Sequence, residues 1–246
     1  MIVLTQAKDG DRIDAERSMY PSYLEVRRGA QTFACGNHTA SVYGYVVAGT
    51  AIGAIDGVGF DLKAGGFFSG PFVLNAALSE DALVVLIVRH GFRALVSVGR
   101  IETKGRLTYI DGCSDTLLIC PPRLGDPCYN HLHFPPTIVQ TQHTHPSIRF
   151  GIVAAGRGLA YGPGWEQPLE PGTVFLIEEG ELHSFRTDRA MHLVDGVWHD
   201  EPTDAYGMDV IAFHPDSDFG PTDANHPMIN RTYIGAGVGG AGGAGI

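Results

Sequence analysis

Three histidines stand where the sequence could assemble a metal centre. In the run QTQHTHPSIRFGIVAAGRG, His143 and His145 flank a single residue. Side chains alternate between the two faces of a strand, so this spacing predicts two imidazoles pointing the same way, into the interior of a small barrel. Further on, EPGTVFLIEEGELHSFRT places His183 just after the turn Glu178-Glu179-Gly180, and a hairpin there brings a third imidazole to the same point. Three neutral nitrogen donors suit Fe, Zn, Ni, Cu or Co, and they leave coordination positions open for a substrate or dioxygen. The plain alternative is a polar patch with a loop histidine beside it. Arg149 shares its odd numbering with His143 and His145, which aims its guanidinium into the same cavity. There it pairs either with a carboxylate or other anionic group of a substrate, as a fork, or with a barrel acid such as Glu178 or Glu181.

Other residues of chemical type read more plainly. His131 and His133, in YNHLHFPP, form a second pair, expected on an edge strand stopped by Pro135 and Pro136 with the rings exposed. AMHLVDGVWHD alternates His192, Val194, Gly196 and Trp198 against Leu193, Asp195, Val197 and His199, the pattern of a late barrel strand with one face inward. Tyr161, Trp165 and Phe150 could wall a cavity or simply be core. Cys35, Cys113, Cys120 and Cys128 match no CxxC motif and are read as buried free thiols in a reducing compartment.

The elements that must hold these residues are short strands. The chain has 246 residues, 33 glycines and 15 prolines, spread between β-rich segments such as YGYVVAG, ALVVLIV, DTLLIC and MDVIAFH. Helical periodicity is scarce. That length suggests two domains of about 100 residues each. Laying residues 40 to 73 over 147 to 180 without a gap, at an offset of 107, superposes Gly44 on Gly151, Val46 on Val153, Ala48 on Ala155, Gly49 on Gly156, Gly57 on Gly164, Leu62 on Leu169, Gly65 on Gly172 and Phe68 on Phe175. Identities at turn glycines in one frame point to a duplicated domain. The first copy carries Gly36, His38, Val42 and Ala76 at the positions of His143, His145, Arg149 and His183. One imidazole does not hold a metal, so His38 is expected packed or at the surface, and that half could help form a homodimer or shield the site.

The net charge of −10 disfavours a nucleic-acid partner, and no apolar run reaches the roughly 18 residues of a membrane span. The start MIVLTQAKDGDR lacks the basic opening and longer apolar core of a signal peptide, which suggests a cytoplasmic protein. The end, YIGAGVGGAGGAGI, has almost no side chains to pack and is expected to be a mobile tail.

With these residues in view, the second copy resembles the cupin superfamily. That family's first motif, G(x)5HxH(x)3-4E(x)6G, is similar to Thr137, His143-x-His145, Arg149 and Gly156; its second, G(x)5PxG(x)2H(x)3N, is similar to Gly172, Glu178-x-Gly180, His183 and Thr187. The spacing agrees at each step, while Thr137 replaces Gly, Arg149 the Glu ligand, Glu178 the Pro and Thr187 the Asn. The resemblance implies an all-β fold of tandem double-stranded β-helix (jelly-roll) barrels, a bicupin. Residues 1–25 would form an N-terminal segment, 26–108 a barrel without a metal, 116–216 the metal-binding barrel, and 217–246 an extension. It also implies one divalent metal per chain on His143, His145 and His183. The three-histidine set resembles the iron cupins that include thiol dioxygenases and a β-diketone-cleaving dioxygenase. That implies Fe(II), dioxygen as co-substrate and a small anionic, oxygenated or aromatic substrate anchored by Arg149, with no organic cofactor. The competing expectations are a metal-dependent isomerase, decarboxylase or lyase using Zn, Mn or Ni as a Lewis acid, and a cupin that binds a small ligand without catalysis.

Overall fold

The computed structural model describes residues 1–123, 125–201 and 207–217; the glycine-rich end lies outside them. The fold is all-β, two jelly-roll barrels in tandem, and the turn signal Asp111-Gly112 between them folds as a short 3-10 turn, Ile110–Gly112. No helix among the described residues is long and apolar enough to cross a membrane.

The first barrel is one eight-stranded sheet. Its strands neighbour one another in the order Arg12–Ala15, Ser22–Arg28, Leu83–His90, Gln31–Ala48, Gly66–Leu78, Thr50–Ile55 and Val58–Lys63, with Ser97–Arg100 added beside Gly66–Leu78. The long strand Gln31–Ala48 curls round because its register against Gly66–Leu78 shifts between Asn37 and Ser41, a bulge that bends the ribbon.

The second barrel pairs a seven-stranded sheet with a three-stranded one. The large sheet runs Ile2–Leu4, Val174–Ile177, Arg149–Gly156, Met208–His214, Cys128–Phe134, Ser114–Ile119 and Leu107–Thr108; the small one runs Trp165–Leu169, Gly158–Gly162 and Ser184–Arg186. Residues 2–4 thus pair with the second barrel, Ile2 opposite Leu176, although the chain then turns back to open the first with Arg12–Ala15.

Alternation along the large sheet decides what each face does. Leu132, Phe134, Val210 and Ala212 turn toward the small sheet and enclose a core with Ala160, Leu169 and Phe185. Tyr129, Ile211 and Phe213 turn the other way and pack on Tyr43, Tyr45, Leu24 and Val26 of the first barrel. Tyr43 sits between Phe213 and Tyr129, with centroids 4.8 and 6.0 Å away. Each such ring is worth roughly 1.5–3 kcal/mol when fully buried, so the two barrels share one continuous core.

The repeat seen in the sequence has a geometric counterpart. A β-carbon added at Gly44 would lie 2.1 Å from Cζ of Phe68, and one added at Gly151 would lie 2.0 Å from Cζ of Phe175. In both copies a phenylalanine ring lies flat over a strand that only glycine leaves open. Gly65 and Gly172 both adopt φ of +85°, each closing the turn before the next strand.

Two expectations are corrected. AMHLVDGVWHD is no barrel strand; Ala190–Val194 and Val197–Glu201 form a two-stranded hairpin closed by Asp195 (φ 49°) and Gly196 (φ 81°). Asp-Gly with both φ positive is the tight-hairpin signature, and it overrides the alternation that suggested one continuous strand. Among the cysteines, Cys113 and Cys128 are buried thiols outside any disulfide, but Cys120 is exposed and Cys35 half-buried.

Candidate metal centre

The three histidines converge inside the second barrel. Imidazole centroids are 5.0 Å apart for His143 and His145, 4.7 Å for His143 and His183, and 5.2 Å for His145 and His183. One nitrogen from each lies within 4.8 Å of the other two, and among the described residues no other group of histidine, cysteine or acidic side chains gathers this way. His38 of the first barrel is exposed.

The local backbone reaches this arrangement by a different route from the expected strand. His143 forms only an isolated bridge with His183: its N–H donates to the His183 carbonyl at 2.9 Å, and the His183 N–H donates back at 3.1 Å. His145 lies outside any strand, and bends at Pro146 and Ser147 follow. The proline ring cannot donate to a ladder, so the HxH segment is held by point contacts instead. The Gly180 N–H donates to the His145 carbonyl at 2.9 Å, tying the turn of the second motif to the first.

Two imidazoles are oriented by the chain two residues before them. His143 Nδ1–H donates to the Thr141 carbonyl at 2.9 Å, and His183 Nδ1–H donates to the Glu181 carbonyl at 2.8 Å. This fixes the tautomer that leaves Nε2 as the lone-pair donor. His183 Nε2 is buried and finds no hydrogen-bond partner in the protein. A buried polar atom without a partner costs stability unless something else takes it up, so the donor set fits a divalent metal. Burial keeps His183 neutral: it pushes this imidazole down to about 3, with the neighbouring His143 adding to the effect. Burial, then Arg149, then the other imidazoles hold His145 well below its ordinary value.

Arg149 is buried and lines the same cavity. Its Nη1 donates to the Ser147 hydroxyl at 2.5 Å, the Ile148 carbonyl at 2.8 Å and the Ser147 carbonyl at 3.1 Å. Among the described residues the acid it meets is Asp216, at 3.6 Å, rather than Glu178 or Glu181. Glu178 and Glu181 belong to the turn, where the Glu178 N–H donates to Glu181 Oε2 at 3.0 Å. Burial and then Asp216 raise the Tyr20 hydroxyl, so a residue from the start of the chain reaches the charge pair beside the cavity.

The positions that depart from the cupin motif have structural consequences. Thr137, in place of the motif's opening glycine, adopts φ of +65° while its side chain is exposed. Thr187, in place of asparagine, is buried, donates to the Pro135 carbonyl at 2.5 Å and accepts the Ile138 N–H at 3.0 Å, which secures the approach to the histidines.

Three further cavity residues are not among the fixed positions of either motif. Gln140, Tyr109 and His214 line the site, with the His214 ring 6.0 Å from that of His145. His214 was legible as the last inward position of MDVIAFH, in step with Val210 and Ala212; Gln140 falls in the first motif's spacer, where the motif fixes no residue type. Phe150, one of the expected wall residues, does line the cavity. Tyr161 instead donates its hydroxyl to the Gln140 carbonyl, and Trp165 packs on the core.

His131 and His133 belong to a different environment from the one expected. Their strand lies between Ser114–Ile119 and Met208–His214, so it is not an edge, and His131 is fully buried. His131 Nε2 and His133 Nδ1 both lie 2.8 Å from the same oxygen of Asp209, on the face turned away from the metal cavity. Burial alone would raise Asp209, but the two histidine hydrogen bonds outweigh it and leave the carboxyl below its ordinary value.

Comparisons with known proteins agree with this architecture. Residues 125–216 match the family of AraC-like ligand binding domains. The fold is similar to YlbA from E. coli, at a TM-score of 0.57 and 17% identity over 83% of this chain and 82% of that one. It is similar to a Cupin 2 conserved barrel domain protein from Leptotrichia buccalis, at a TM-score of 0.53 and 13% identity over 85% and 91% of the two chains. It is also similar to a salicylate 1,2-dioxygenase from Pseudaminobacter salicylatoxidans, at a TM-score of 0.55 and 10% identity over 80% and 71%. No curated protein sequence matches the chain. The fold is of cupin type, and its second barrel carries a three-histidine cluster that could bind a metal.

Proposed function

We propose that the chain is a mononuclear non-haem Fe(II) dioxygenase acting on a small anionic, oxygenated compound, with His143, His145 and His183 as metal ligands and Arg149 as the substrate's anchor. The observation that carries this reading is the buried, partnerless Nε2 of His183 among two further imidazoles. Bound iron would supply coordination positions for a substrate heteroatom and for dioxygen. The chain's own residues supply the rest. The Thr141 and Glu181 carbonyls hold two rings in the ligating tautomer. Phe134, Phe150, Phe175, Ile177 and Phe185 exclude water. Arg149 offers positive charge at the cavity wall, and Asp216 holds that charge in place.

The cavity measures about 20 Å³. That tight inner space holds little more than one water and the cavity is partly open beyond it, which favours a small oxygenated head group at the histidines over an aromatic ring. The likeness to a salicylate 1,2-dioxygenase supports oxygen chemistry by analogy of fold. The match of residues 125–216 to a ligand-binding domain favours a second reading, non-catalytic capture of a small ligand by the same histidines.

Oxygen uptake separates the two. Fe(II)-loaded protein is offered a panel of small diketones, hydroxy acids and catechols, with metal content measured alongside. The dioxygenase reading expects one iron per chain and substrate-dependent uptake, both lost in His183→Ala. Ligand binding without uptake would sink it in favour of capture, and turnover without dioxygen on Zn, Mn or Ni would reassign the site to isomerase or lyase chemistry.

A further inference from the structure

Gln140 lines the cavity from a variable position of the first motif, between Thr137 and His143, and its environment is unusual. Its backbone is fully engaged: the N–H donates to the Phe185 carbonyl at 3.0 Å, and its carbonyl accepts the Ser184 hydroxyl at 2.6 Å and the Tyr161 hydroxyl. The residue is therefore fixed in place. It is 1% exposed and lines the same cavity as the three histidines, yet its side-chain Oε1 has no hydrogen-bond partner in the protein. A buried amide oxygen left without a donor carries a desolvation cost of roughly 1–3 kcal/mol. The residue is too buried to turn to bulk solvent, so any partner for Oε1 has to come from within the cavity, as a water or as a group of the ligand.

We infer that Gln140 is a specificity-determining residue whose Oε1 accepts a hydrogen bond from the ligand's metal-binding head group. This inference rests on the three-histidine metal reading. The head group must carry a hydrogen on the coordinating atom, as a water or an alcohol does and an ether does not. With about 20 Å³ available, little more than such a group fits beside the histidines. Arg149 lines the same cavity and meets an attached carboxylate. The ligand class is accordingly a small 2-hydroxy acid, with its hydroxyl on Gln140 and its carboxylate toward Arg149. Sites built to hydrogen-bond a ligand hydroxyl reject the analogue that lacks it, because the buried partner is then stranded.

The test uses Co(II)-loaded full-length protein, whose visible absorption reports what occupies the metal. Glycolate and its methyl ether, methoxyacetate, are titrated into wild type, Gln140→Leu and Gln140→Glu, with cobalt content measured in each. Leucine keeps the side chain's bulk and removes the acceptor; glutamate keeps an acceptor at the same reach. The bulk of the ether's methyl is common to all three proteins, so the change in preference isolates the hydrogen bond. The expected result is about a tenfold fall in the glycolate-over-methoxyacetate preference in Gln140→Leu, with cobalt content unchanged and the preference retained in Gln140→Glu. A preference equal in wild type and Gln140→Leu, a preference reversed in Gln140→Glu, or binding of neither acid by cobalt-loaded protein overturns the role of Gln140 and leaves the metal reading standing. Failure of wild type to take up cobalt overturns the metal reading, and the role of Gln140 falls with it.

Discussion

Acidification of the metal-free protein probes the site directly, through a histidine buried in its neutral form. His183 is held down to about 3 by burial and by His143, whereas an imidazole in the unfolded chain titrates near about 6.5. Because the folded value is the lower one, the stability tied to His183 is fully present above about 6.5 and is lost as the pH falls toward about 3, as the unfolded chain takes up a proton that the folded chain refuses. Linkage between those two values gives a loss of about 2 kcal/mol on going from about pH 7 to about pH 5, since each pH unit below the unfolded pKa is worth about 1.4 kcal/mol. The perturbation that isolates it is His183→Gln, which removes the titrating group while keeping a polar side chain of similar reach. The assay is urea unfolding of metal-free wild type and variant at the two pH values. The variant should lose about 2 kcal/mol less than wild type across that interval. Equal losses in the two proteins would refute the reasoning, because they would mean that His183 exchanges its proton as readily in the folded chain as in the unfolded one.

Three further outcomes follow from particular contacts. Arg149→Ala should leave metal content unchanged and weaken anionic-substrate binding by roughly 2–5 kcal/mol, with Arg149→Lys recovering only part, as isothermal titration would measure; a lower melting temperature with turnover intact would make the pair with Asp216 purely structural. Thr137→Gly should raise stability by up to about 1 kcal/mol in chemical denaturation, because the left-handed backbone costs threonine roughly 1–2 kcal/mol and glycine's extra freedom when unfolded returns only part of that. Gly44→Ala and Gly151→Ala should each destabilise by more than about 2 kcal/mol, since the added methyl meets the ring of Phe68 or Phe175; thermal melts showing one tolerated and the other not would break the equivalence of the two barrels.

Much of this protein is written locally. The ungapped repeat, the turn glycines at 65 and 172 and the HxH spacing with its downstream histidine are short-range patterns, and short-range sterics suffice to make strands, turns and a candidate ligand set from them. His143, His145 and His183 could be named because the chemistry needs those donor types and the motif spaces them. The large sheet, by contrast, puts residues distant in sequence side by side. Only tertiary pairing decided that residues 2–4 join the second barrel, that Asp216 rather than Glu178 or Glu181 meets Arg149, and that His131 and His133 share the Asp209 carboxylate on the face away from the cavity. The hairpin at Asp195-Gly196 shows the local limit from the other side, since period-two alternation runs unbroken through a turn that reverses the chain. Gln140 marks the deepest divide. Nothing in its neighbours announces a function, because being buried, immobilised and without a partner is a property of the packed cavity and not of the segment that carries it.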